Sequence, residues 1–275
     1  MNAITLNNGT DMPLVGMGTY PLNGLGFAML VRKAVRMGYR SFDLASAYGN
    51  ERWFGRGMRF CGKRRSELFV TTKLSNTEQR RGDVRAALQN SLARLGMKYV
   101  DLYLMHWPVP ELYVSSWKQM EVLYREGVAR AIGVCNFHQQ HLKALLDAAD
   151  VIPAVNQIEL HPLLSQSGLV KVCKKEGIQV EAYSPFAQKH DRLIKNEVLA
   201  TIAGRHQRTV PQVILRWDLQ KGIVSVPRSS NPARLRENIS IEDFALSDEE
   251  MNRIDLVNAD FRVRCDPDNC DFSKL

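Results

Sequence analysis

The sequence predicts a (β/α)8 barrel of the TIM type, with an N-terminal β-hairpin and an extra C-terminal helix. Three observations predict it. Short apolar, often β-branched runs alternate with stretches of helical spacing. The length, 275 residues, suits a barrel of ~250 residues. Polar residues recur at the ends of successive apolar runs.

The elements follow in order. Asn8-Gly9 within "ITLNNGTDMPLVGMG" is a hairpin signal, and this hairpin is expected to plug the bottom of the barrel. Eight runs read as strands: "LVGMG" (14–18), "SFDLA" (41–45), "LFVTTKL" (68–74), "VDLYLMHW" (100–107), "ARAIGVCN" (129–136), "AVNQIEL" (154–160), "IQVEAYSP" (178–185) and "GIVSVP" (222–227). "FAMLVRKAVRMG" (27–38) carries apolar residues at helical spacing and stops on Gly38. "DVRAALQNSLARLG" (83–96), "HQQHLKALLDAA" (138–149) and "GLVKVCKKEG" (168–177) repeat the pattern. "LSDEEMNRIDLVN" (246–258) reads as the extra helix, with Ser247 and Glu250 in a capping box. Parallel neighbours need crossover helices, and eight such units close a barrel. The competing doubly wound nucleotide fold wants G-x-G-x-x-G after its first strand; "GMGTYP", "GLGFAM" and "GRGMRF" lack the third glycine. Residues 1–275 are expected to form one domain.

Apolar residues make up 45% and charged residues 24%, the balance of an ordinary globular protein. No apolar run is long enough to span a bilayer, and the start lacks the basic n-region of a signal peptide. A cytoplasmic monomer is expected. The formal charge of +8 could attract nucleic acid, an acidic membrane or an anionic small molecule. Basic residues are scattered, and no aromatic-basic interleaving marks a strand binder, so neither nucleic acid nor membrane is expected as a partner. Of the five cysteines, Cys61, Cys135 and Cys173 read as ordinary thiols of a reducing compartment. Cys265 and Cys270 lie close together; a disulfide or metal site there is the minority reading, and no metal is expected.

The active site of such a barrel lies at the C-terminal ends of its strands. The polar residues there are Asp43, Lys73, His106, Cys135, Asn136, Gln157, Tyr183, Ser184, Arg228 and Ser229. Singly, each has an ordinary explanation: a helix cap for Asp43, a snorkelling lysine at 73, a core histidine at 106, an interface tyrosine at 48. Jointly, an acid, a lysine, a histidine and a tyrosine at one mouth form a chemical set. Buried Lys73 needs a counter-ion, and Asp43 on the adjacent strand can supply it. The ammonium is expected to lower the Tyr48 pKa from its usual ~10, making the phenol a general acid for a developing alkoxide. His106 can orient the carbonyl. That equipment suits carbonyl reduction with a hydride from a cofactor.

At this point "SFDLASAYGNE", "TTKL", "LMHWP", "IGVCNF", "NQIELHP", "EAYSP" and "VPRSSNPARLREN" resemble, in order and over almost the whole chain, the motifs of the aldo-keto reductases. They are most like those of short prokaryotic-type members such as the 2,5-diketogluconate reductases. The resemblance implies an NADPH-dependent reductase of aldehydes and ketones. Asp43, Tyr48, Lys73 and His106 match the catalytic tetrad, with Tyr48 as proton donor. Thr19, Asp43, Cys135, Asn136 and Gln157 match residues around the nicotinamide, and Tyr183 the aromatic stacked on it. Ser184, Phe186 and Gln188 match the loop over the pyrophosphate. Arg228, Ser229, Ser230 and Arg234 match the 2′-phosphate pocket, Glu237 and Asn238 the adenine contacts, and Pro227 is a further cofactor-binding position. Three positions depart from the pattern: Cys135 replaces a serine, Ser75 a tryptophan and Tyr20 a tryptophan. With a short segment after His106 and little chain after the last helix, a shallow, open, polar mouth is expected. Tyr20, Tyr48, His106 and Trp107 would meet a small polar carbonyl, such as a keto-sugar acid, an α-dicarbonyl or an aldehyde. The alternative is an NADPH-sensing regulatory subunit with slow turnover, against which stands the lack of an added N-terminal domain.

Overall fold

The computed structural model describes residues 3–272. Strands β1 (Ala3–Thr5) and β2 (Asp11–Pro13) pair antiparallel as the N-terminal hairpin, and Gly9 turns it with φ 83°. Eight strands follow in one sheet: β3 (Met17–Gly18), β4 (Ser41–Asp43), β5 (Phe69–Leu74), β6 (Val100–Met105), β7 (Ala129–Cys135), β8 (Val155–Glu159), β9 (Gln179–Tyr183) and β10 (Val224–Ser225). Each lies parallel to the next in chain order. The sheet closes on itself, because Val15 bridges Ser225 and Gly18 bridges Arg228. At this seam the Gly16 N–H donates to the Ser225 carbonyl at 2.9 Å and the Gly18 N–H to the Pro227 carbonyl at 3.1 Å. A Cβ on Gly18 would stand 2.5 Å from the Val226 carbonyl oxygen, so only glycine lets the two strands meet there.

All eight apolar runs contain a strand, each shorter than its run. The lost residues flank the strands at both ends: Leu68 precedes β5, and Asn136 leaves β7 at φ 64°. The helices fall on the periodic stretches. Asn23 accepts from the Gly24 N–H at 2.8 Å and so starts helix Gly24–Met37 a few residues earlier than apolar spacing suggests. Asp83 caps Val84–Leu95, and Ser247 with Glu250 caps the extra helix Asp248–Asp255. Three helices not anticipated from the sequence, Asp191–Ile194, Glu197–Arg205 and Val210–Gln220, lie between β9 and β10. In the last of these, Pro211 occupies the first turn, where its missing N–H costs nothing.

Inside the barrel, Leu6 and Met12 of the hairpin meet Phe69, Leu102, Leu104, Ala131, Val155 and Val224 in one buried cluster. The hairpin therefore plugs the lower end, and fully burying a side chain such as Met12 contributes about 1.5–3 kcal/mol. The bottom is thus filled largely by apolar atoms, and Asp43 and Lys73 lie toward the upper end of their strands. Among the described residues, no helix is long and apolar enough to cross a membrane.

Two expectations about the C-terminal tail need correction. Cys265 and Cys270 are joined by a disulfide, whereas Cys61, Cys135 and Cys173 are free and buried. A tight turn explains the pairing: Asp266 accepts from the Asp268 N–H through its side chain and from the Asn269 N–H through its carbonyl, which brings the two Cα atoms to 5.7 Å. Nor does the tail stay clear of the mouth, although Tyr20 remains half exposed. The tail after Asp255 returns over the strand ends, setting Phe272 edge-on to Trp107 at 6.4 Å and the Arg264 guanidinium 5.8 Å from the Tyr20 ring.

Candidate active site

Asp43 ends β4, and Lys73 lies on the adjacent β5, so the two inward side chains meet. The Lys73 ammonium donates to Asp43 Oδ1 at 2.5 Å and to the Leu44 carbonyl at 2.9 Å, and it is wholly buried. A buried ammonium is tolerable only with such pairing. Burial works to lower the Lys73 pKa, but the charge of Asp43 and its hydrogen bond work the other way, and the net direction is upward. Lys73 is therefore a fixed cation.

Tyr48 is delivered by the short helical turn Ser46–Tyr48, which ends on Gly49 at φ 66°. Its ring centroid lies 5.1 Å from Lys73 Nζ, 5.6 Å from the His106 ring and 5.0 Å from the Tyr20 ring. Here the sign of the sequence expectation changes. Burial pushes the Tyr48 pKa up to about 12, and Lys73 only pulls part of that back. The phenol is thus held protonated at neutral pH. His106 is pushed down to about 3, by burial first and by Lys73 second, so its imidazole is neutral and offers one N–H donor.

The cofactor candidates fall into two groups. The first is one hydrogen-bonded network. Gln157 Nε2 donates both to Asp43 Oδ1 at 2.9 Å and to Glu181 Oε2 at 2.6 Å. Cys135 Sγ contacts Gln157 Oε1 at 3.5 Å and Asn136 Nδ2 at 3.2 Å; the thiol thus keeps weak partners on both amides. Asn136 Nδ2 also donates to the His106 carbonyl at 3.0 Å, and its Oδ1 accepts from the Tyr183 hydroxyl at 2.7 Å. Thr19 Oγ1 donates to the Asp43 carbonyl at 2.7 Å.

The second group lies where β10 ends. Ser229, Ser230 and the cap Asn231 lead into helix Pro232–Ile239, with Arg234 in its first turn. Arg228 and Arg234 are exposed, and among the described residues neither guanidinium is in an ion pair. Arg228 Nε donates to the Tyr20 carbonyl at 3.2 Å, and two arginines outside any ion pair beside a helix N-terminus suit a phosphate. A groove of about 380 Å³ lined by Leu22, Lys33, Ser230 and Pro232 opens beside them. In the loop after β9, Ser184 and Gln188 adopt positive φ, as do Ala187 and Lys189. The residues present therefore fit an extended dinucleotide with a terminal phosphate. Other candidates already have protein partners: Phe186 packs on the core, Pro227 closes the seam, Glu237 Oε1 accepts from Thr209 Oγ1 at 2.5 Å, and Asn238 is buried beside the Tyr39 hydroxyl.

Several residues escape sequence reasoning. Asn50 is buried and donates to Thr19 Oγ1 at 2.9 Å and to the Leu22 carbonyl at 3.2 Å, bracing the turn that carries Tyr20. Glu51 accepts from Thr72 Oγ1 and Arg94 Nε, both at 2.6 Å. Glu159, buried at the end of β8, accepts from the backbone N–H groups of Val263 at 2.7 Å and Arg264 at 3.0 Å. A usable signal existed for Glu159 and Glu181: each is a lone acid in an apolar strand, as Asp43 is.

Comparison with known proteins identifies the family. The model of the Aldo/keto reductase family matches residues 26–259. The glyoxal reductase of Bacillus subtilis (strain 168) is 46% identical over 272 residues, covering 98% of each chain. The methylglyoxal reductase DkgA of Salmonella typhimurium is 41% identical over 267 residues, covering 96% of each. Among solved structures, a Bombyx mori aldo-keto reductase in complex with NADP superimposes with a TM-score of 0.89 at 34% identity, over 97% of this chain and 96% of that one.

Proposed function

Since this chain belongs to the aldo/keto reductase family, and is thereby an oxidoreductase that uses NADP(H) to reduce carbonyl groups, we propose that Tyr48 is its proton donor and that small aldehydes, α-dicarbonyls and keto-sugar acids are its substrates. The reading rests on one observation: the Tyr48 ring lies 5.6 Å from the His106 ring and 5.1 Å from the Nζ of a buried Lys73 paired with Asp43. NADPH, when bound, supplies the hydride. Asn136, Gln157 and Tyr183 would hold its nicotinamide end, and Arg228 and Arg234 its 2′-phosphate. Tyr48 gives its proton to the carbonyl oxygen as negative charge develops there, and the Lys73 ammonium stabilises the phenolate left behind. Asp43 keeps that ammonium compensated, and the neutral His106 donates a hydrogen bond that orients the carbonyl. Tyr20 and Trp107 wall the mouth. The relatives named glyoxal and methylglyoxal reductase support small dicarbonyls as the class. We read the enzyme as a cytoplasmic monomer of one domain.

NADPH oxidation with a panel of small carbonyls tests this. Tyr48→Phe is expected to lose roughly 10²–10⁴-fold in kcat while binding NADPH as the wild type does. Full turnover in that variant would remove Tyr48 from its role. Tight NADPH binding with no turnover of any carbonyl by the wild type would favour the regulatory subunit instead.

A further inference from the structure

We infer that Arg264 is a substrate-binding residue that grips a carboxylate, so that carbonyl compounds carrying an acid group a few bonds from the carbonyl are preferred over their neutral analogues; this rests on the reductase reading and narrows its substrate class.

Three observations carry it. The first is position. The Arg264 guanidinium carbon lies 5.8 Å from the Tyr20 ring, and that ring lies 5.0 Å from Tyr48. The cation therefore stands one aromatic ring away from the phenol that faces the carbonyl. The second is anchoring. Buried Glu159 holds the backbone N–H groups of Val263 and Arg264. The N–H groups of Ala259 and Phe261 both reach the Leu163 carbonyl, and Phe272 leans on Trp107. The main chain at Arg264 is thus pinned on both sides while its side chain stays exposed.

The third is an unspent charge. Among the described residues Arg264 is in no ion pair. Its neighbour Arg262 is engaged with Gln166 Oε1 and the His138 ring, and the carboxylates nearest the mouth are spoken for. Asp43 is taken by Lys73, and Glu159 by His161 and two backbone N–H groups. A guanidinium resting on an aromatic face keeps its donor fork free at the edge, the geometry that accepts a carboxylate in two parallel hydrogen bonds. With its carbonyl oxygen between Tyr48 and His106, a substrate's far end rises toward Tyr20 and meets that fork.

Steady-state reduction of 4-oxobutanoate and of butanal, a charged and a neutral aldehyde of equal chain length, tests the assignment in wild type, Arg264→Gln and Arg264→Lys. In Arg264→Gln the KM for 4-oxobutanoate is expected to rise about tenfold or more, with kcat and all butanal constants within about twofold of wild type. Arg264→Lys recovers part of the loss. Added salt erodes the wild-type preference for the anion and leaves Arg264→Gln nearly unaffected. NADPH affinity, read by fluorescence titration, stays the same in all three, which separates this site from the phosphate pocket. Butanal turnover with an unchanged anion-to-neutral ratio in Arg264→Gln overturns this assignment alone. Absence of turnover with either aldehyde overturns the reductase reading and this assignment with it.

Discussion

Glu181 and Tyr183 sit two apart on β9 and so face the same way, one below the other in the barrel. Glu181 is fully buried, and burial first, then the charge of Asp43, pushes its pKa up. Carrying its proton, it can stand near Asp43 without repulsion and still accept from Gln157. Both amide hydrogens of Gln157 are thereby spent on acids, and its Oε1 meets the Cys135 thiol at 3.5 Å. Glu181→Leu would strand one buried N–H, a loss of about 1–3 kcal/mol, and is expected to weaken NADPH binding about tenfold. Glu181→Gln keeps an acceptor and should bind within about twofold of wild type. Fluorescence titration with NADPH distinguishes them; equal affinity in both variants would free Gln157 of any dependence on Glu181. The signal for this residue was present in "VEAYSP", as plainly as the one for Asp43 in "SFDLA". Arg264 had no such signal. It lies far along the chain from Tyr20, and only the fold brings the two together.

At the level of elements, the seam is a tight constraint. β3 has two residues, β10 has two, and Gly18 lies against the Val226 carbonyl. That carbonyl cannot withdraw freely, because the Val226 N–H is bonded to Ala182 on β9. Gly18→Ala is expected to cost about 1–3 kcal/mol, read as a lower urea midpoint at unchanged m-value; an unaltered midpoint would mean that the seam yields. The strands were legible because the apolar runs are short and bounded, and the hairpin because Asn-Gly needs few alternatives. Of the helices between β9 and β10, Asp191–Ile194 was not, since four residues are too few to show a helical period. Glu51 was hidden for another reason. It ties helix Glu51–Met58 to Thr72 on β5 and to Arg94 on helix Val84–Leu95, a junction of three elements that no local window contains.

Across the whole molecule, buried ionisable groups set the response to pH. Burial pushes Asp218 up to about 8, and Glu181 also moves upward. Between the ordinary carboxyl pKa of ~4 and about 8, the folded state keeps these protons and the unfolded chain does not, so stability falls as pH rises. His106, pushed down to about 3, acts in the opposite sense, but only below its unfolded value of ~6.5. A net fall in Tm from about pH 6.5 to about pH 8.5 is therefore expected, and Asp218→Asn should flatten it in differential scanning calorimetry. A slope unchanged by that variant would clear Asp218. The barrel architecture was legible from the sequence as a whole; the partly covered mouth was not, because few residues after the last helix suggested how far they reach. That tail has one more consequence, in the order of synthesis. A ribosome delivers residues 256–272 after every barrel strand, so a nascent chain can close its barrel and shape a dinucleotide groove before it owns a finished substrate mouth. Selection can then rewrite what the enzyme accepts by editing a short stretch of late-made chain, with the folding of the barrel already complete.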